Sequence, residues 1–142
     1  MNSDYDMRIL RVGGLLLEVI AGFAISTYLW LLGVIMSPVL VLRLIADRDW
    51  EAGLMFAVIV LGAVGIWGML QLTIKVIAPT ANVVKAGRLK VYLASGFLAL
   101  MSVVFLVRFD VSNISWLEFS LLLPAVVTSH FIFLARRYLW AS

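Results

Sequence analysis

The chain has no cysteine among its 142 residues. Disulfides, thiolate metal sites and cysteine nucleophiles are therefore excluded. It has one histidine, His130, which leaves nothing from which to build a histidine-rich metal or haem site. Charge is scarce as well. Only 13% of residues are Asp, Glu, Lys or Arg, while 64% are hydrophobic and the mean hydropathy is +1.10. Soluble domains carry roughly a quarter charged residues, and a chain this short cannot hide so much apolar surface from water. A soluble enzyme and a disordered tail are both excluded. The catalytic signatures G-x-x-x-x-G-K-[ST], H-E-x-x-H and G-x-S-x-G are missing too. The expectation is a non-enzymatic protein with no catalytic residues, cofactor or metal. There is no internal repeat, and no loop is long enough for a second domain.

What is present is apolar sequence in long blocks. Runs free of charge cover Val19 to Leu42, Ala52 to Ile74, Val91 to Val107 and Phe119 to Ala135. A bilayer core about 30 Å thick needs about 20 helical residues. The two shorter runs can cross if flanking side chains snorkel. Continuous apolar runs without alternation exclude a barrel, and lipid leaves the helix as the other structure that satisfies its own backbone. The expected fold is an all-α integral membrane protein, one domain over residues 1–142, built as a four-helix transmembrane bundle. The first span has two registers. It runs either from Val12 to about Met36, with Ser37-Pro38 ending it, or from Val19 to Leu42 with Pro38 as a kink. The first run is too long for a signal-peptide core and reads as an uncleaved span. The last helix is expected to begin near Ser115, with Glu118 completing a capping box.

Net charge is +3 and the sequence pI is about 9.6. The bases flank apolar spans, so anionic head groups are the expected counterpart, and nucleic acid is not. Arg8, Arg11, Lys75, Lys85, Arg88, Lys90, Arg136 and Arg137 fall on one side, and Arg43, Arg48 and Arg108 on the other. The positive-inside rule puts the first group and both termini in the cytoplasm, with a bacterial inner membrane as the expected location. Trp50 and Trp116 fall at the outer ends and Tyr92, Tyr138 and Trp140 at the inner ends, as aromatic belts do.

Four polar residues interrupt the apolar runs near the basic side. Counted at 1.5 Å per residue from the nearest helix start or base, Glu18 and His130 lie about 9 Å deep, Gln71 about 6 Å and Ser95 about 7–8 Å. They form a candidate intramembrane cluster: Glu18 as the titrating acid, His130 as its partner, Gln71 and Ser95 as hydrogen-bonding neighbours. The plainer reading puts Glu18 at the head groups and gives the others ordinary interhelical bonds. Small residues mark candidate packing faces. Gly62, Gly65 and Gly68 make a flat strip on the second span, Ser95, Ala99 and Ser102 a stripe on the third, and Gly22 with Ser26 a pair on the first. These faces either pack the bundle itself or receive a second copy or another membrane protein. The outer segment Asp47 to Glu51 reads as a turn with Asp49 as N-cap, and Asp110 to Asn113 reads likewise.

The ends of the chain, Arg8-Ile9-Leu10-Arg11-Val12-Gly13-Gly14 and His130-Phe131 to Arg136-Arg137-Tyr138, loosely resemble the ends of GtrA-type four-span proteins. That family has a second aromatic-basic motif after span two. Gln71-Leu72-Thr73-Ile74-Lys75 stands there instead and does not match, so no family is assigned on these residues. The function expected from the residues is lateral helix–helix interaction, as an accessory subunit of a membrane complex or as an immunity-type protein against a membrane-acting toxin. The alternative is a small oligomeric transporter or ion or proton channel using Glu18 and His130.

Overall fold

The protein is described from a computed structural model covering residues 3–106 and 116–140. Its regular structure over those residues is entirely α-helical: α1 (Ser3–Ala46), α2 (Trp50–Ile77), α3 (Ala86–Leu106), α4 (Trp116–Leu134) and the short α5 (Arg136–Trp140). Three helices, α1, α2 and α3, are long and apolar enough to cross a membrane, and α4 adds an apolar stretch over Leu122–Leu134. Large apolar side chains point outward along their length, among them Leu17, Tyr28, Ile35, Trp67 and Phe105. Such a surface belongs in lipid, where the helix satisfies its own backbone. The chain is thus a polytopic membrane protein.

The first helix differs from one of its two expected registers. α1 does not stop at Ser37-Pro38; it is a single helix of 44 residues with Pro38 inside it. A proline removes one N–H and crowds one carbonyl. Lipid on all sides offers no alternative partner for the remaining backbone groups, so the ladder resumes. α1 ends where Asp47 N–H donates to Arg43 C=O, and Arg48 then takes a left-handed conformation, φ 51°. Asp49 starts α2. Its carboxylate accepts from the backbone N–H of Glu51 at 3.0 Å and of Ala52 at 3.4 Å, satisfying donors left open at a helix start. The calls at Arg108, Asp110 to Asn113, Ser115 and the Glu118 side chain lie outside the described residues.

The closest seam is between α2 and α3. A Cβ built on Gly65 would land on the Gly96 backbone, and one on Gly68 would lie 2.7 Å from Tyr92 Cβ. The two backbones therefore touch, which only glycine permits at this spacing. Gly62 turns the other way, against the Trp30 indole of α1, whose Nε1 donates to Ile59 C=O at 2.8 Å. Gly22 of α1 receives Val127 of α4. Toward the basic end these seams close over a core that includes Leu15, Leu72, Leu89, Phe131 and Leu139. Toward the other end the helices separate around an apolar cavity of about 190 Å³. Hydroxyls on the helices bond back to their own carbonyls: Thr73 to Met69, Ser102 to Leu98 and Ser129 to Ala125.

Candidate functional site

α1 and α4 run antiparallel, so moving one turn from the Gly22–Val127 contact toward the basic end brings Glu18 opposite His130. Glu18 Oε1 and His130 Nδ1 are 2.6 Å apart. Which ring nitrogen of His130 carries a hydrogen sets the roles in this hydrogen bond. The pair sits at the edge of the seam. Its side chains remain 32% exposed at Glu18 and 46% at His130. Among the described residues, neither Glu18 Oε2 nor His130 Nε2 has a further hydrogen-bond partner.

The surroundings are apolar. Leu17 and Ala21 on α1, and Val126 and Phe133 on α4, are exposed beside the pair. Fixed positive charge lies farther along. The Lys75 ammonium bends toward the α2–α3 loop, where it donates to Pro79 C=O, and stands 4.7 Å from the Tyr138 ring. Lys90 stands 5.0 Å from the Trp140 ring and Arg136 4.7 Å from that of Phe133. The two lysines are bases that reach the aromatic rings at the basic end. Tyr138 follows His130 by eight residues, roughly 12 Å of helix. The acid–imidazole pair is held among apolar side chains; the lysines reach away from that level, while Arg136 folds back over Phe133.

Gln71 and Ser95 do not join the pair. The Ser95 hydroxyl donates within its own helix, 2.8 Å from Val91 C=O and 3.0 Å from Tyr92 C=O. Gln71 is half-buried on α2 and bonds to none of the other three. The reason is register. With Gly65 against Gly96, Ser95 stands level with Ile66, five residues or about 7.5 Å from Gln71. Depth counted from each helix's own last base presumes that the bases are coplanar, and Lys75 and Lys90 are not.

The small-residue faces are largely occupied inside the bundle. Gly62, Gly65 and Gly68 meet Trp30, Gly96 and Tyr92. Ala99 is buried and lines the cavity. Ser26 lines it too, and its hydroxyl is buried without a partner among the described residues. Sequence reasoning missed Gly96, which lies one residue off the Ser95–Ala99–Ser102 stripe; a single glycine shows its role only once the register with Gly65 is known. Gly13 and Gly14 are different, because among the described residues nothing lies within 4 Å of a Cβ built on either. Among the described residues no group of three or more His, Asp or Glu side chains is arranged to hold a metal ion.

No family model, curated protein or solved structure matches this chain.

Proposed function

We propose that the protein works by lateral helix–helix contact with a membrane partner, through the α1–α4 face that carries Glu18 and His130. The observation behind this reading is a hydrogen-bonded acid–imidazole pair left 32% and 46% exposed among outward-facing apolar side chains. Polar atoms facing hydrocarbon are costly, and ionisable residues inside membrane segments normally have a partner or a task. A second protein covering this face would supply the missing hydrogen bonds. The small-residue strip on α2 is less suited to the purpose, since its glycines already hold α1 and α3. The roles that fit are an accessory subunit of a membrane complex or an immunity-type protein. The location that fits the charge distribution is a bacterial cytoplasmic membrane, with four spans and the basic end and both termini inside.

The test is photocrosslinking in native membranes from benzoylphenylalanine at Ala21 or Val126 on this face, against Trp67 or Leu98 on the opposite helices. Adducts with a defined membrane protein are expected only from the first two positions, and His130→Ala should remove them. Equal adducts from all four positions, or none from any, would defeat the reading.

The second reading, a small oligomeric transporter or proton channel, is favoured by the 2.6 Å hydrogen bond between two titratable side chains, Glu18 and His130. Because the core beneath the pair is apolar, with Leu15 and Phe131 in it, the pathway would run between subunits. Proton flux into proteoliposomes that disappears in Glu18→Gln is the result this reading requires.

A further inference from the structure

We infer that the basic end of the bundle binds an anionic phospholipid, with its phosphate among the bases that α5 and the start of α3 present. The inference is independent of the lateral-contact reading, which concerns the α1–α4 face. It starts from bases that the fold gathers from separate segments of the chain. The last helical stretch is interrupted at Ala135, and α5 then packs on α3 and α4. Leu139 of α5 is buried in the same core as Leu89 of α3. The Tyr138 hydroxyl donates to Val84 C=O at 2.6 Å, one residue before Lys85. These contacts bring Arg136 and Arg137 to the start of α3, where Lys85, Arg88 and Lys90 stand, and all five are exposed.

The chain supplies these five with no counter-charge. Among the described residues none of them has a carboxylate within 4 Å, and none donates a hydrogen bond. Lys75 differs, since it spends its donors on the carbonyls of Pro79 and Ala81. The sequence has no Asp or Glu between Glu51 and Asp110, and none after Glu118. Asp4 and Asp6 belong to α1, and among the described residues no Cα of α1 comes within 8 Å of one in α5. Like charges drawn together repel, and bases at a helix start oppose its dipole. The positive-inside rule puts bases in a cytoplasmic loop, but it does not ask them to converge. A phosphate does, because its oxygens accept from several ammonium and guanidinium groups at once.

The surroundings select a lipid over a free phosphate or an acidic protein segment. Open apolar surface begins directly beside the bases. Val91 follows Lys90, the Trp140 ring lies 5.0 Å from the Lys90 ammonium, and the Phe133 ring lies 4.7 Å from the Arg136 guanidinium. Val91, Phe133 and Trp140 are all exposed. Charge with apolar surface adjoining it matches a head group and its acyl chains together. A free phosphate or an acidic segment would leave the apolar half unused.

The test is native mass spectrometry of the full chain in mild detergent with an equimolar mixture of phosphatidylglycerol and phosphatidylcholine. The parent should retain phosphatidylglycerol several-fold more often than phosphatidylcholine. Arg88→Gln combined with Arg137→Gln should cut that preference several-fold. If this variant fails to accumulate, Lys85→Gln with Arg136→Gln gives the same reading. Arg8→Gln combined with Arg11→Gln removes two bases from the same end, but from α1, and should leave the preference in place. Tyr138→Phe changes no charge, yet should weaken retention by releasing α5 from the Val84 carbonyl. Equal retention of the two lipids by the parent overturns the inference. So does an equal loss in the α1 pair and the α5-side pair, which is the signature of a diffuse field. Displacement of the lipid by inorganic phosphate, but not by sodium chloride of equal ionic strength, would assign the bases to free phosphate and overturn it as well.

Discussion

Glycine at position 65 and glycine at position 14 have the same side chain and opposite surroundings. A methyl group at Gly65 would land on the Gly96 backbone, whereas one at Gly14 would meet open space. Gly65→Ala should therefore destabilise the protein, with an overpacking cost of about 1–3 kcal/mol exceeding the roughly 1 kcal/mol gained in helix propensity. Gly14→Ala in detergent-dispersed monomer should be neutral or stabilising by up to about 1 kcal/mol. Thermal unfolding in a mild detergent measures both signs. Trp30→Phe removes the Nε1–H bond to Ile59 C=O and should cost about 0.5–1.5 kcal/mol in the same assay. At this scale the sequence was partly readable. Asp49 announced itself as a cap by type and position. Glu18 and His130 could be assigned a common depth, but depth does not say which helices are neighbours; that required the Gly22–Val127 contact.

At the scale of the element, hydrophobic run length located the helices well and their ends poorly. α2 begins and ends within three residues of its charge-free run, because Asp49 caps one end and Ala78-Pro79 stops the other. α1 extends far beyond its run on the N-terminal side and passes through Pro38. Charge and proline are weak punctuation for a helix whose backbone has no competing partner. The α2 cap carries a prediction of its own. Asp49→Ala frees the N–H groups of Glu51 and Ala52 and should lower stability by about 1 kcal/mol, read as a lower midpoint in denaturing detergent. Asp49→Asn should restore most of it, since the amide oxygen can still accept.

The whole molecule is asymmetric in its packing. α2 packs closely on α1, α3 and α4, while among the described residues no Cα of α1 comes within 8 Å of one in α3. The helices are tight at the basic end and parted around the 190 Å³ cavity toward the other. None of this is visible in a list of spans, because spans carry no neighbour information. Ala99 faces that space from α3. Ala99→Leu adds three carbons where there is room, and should raise stability by about 0.5–2 kcal/mol; an unfolding midpoint below that of the parent would show that the cavity has to stay open. The α1–α4 contact also joins residues 112 positions apart in the chain. At a synthesis rate of about 5–20 residues per second, Glu18 is made roughly 6–20 s before His130 exists. For that interval the nascent helix carries an acid without its base, and the seam between first and last helices is the final joint the newborn chain acquires.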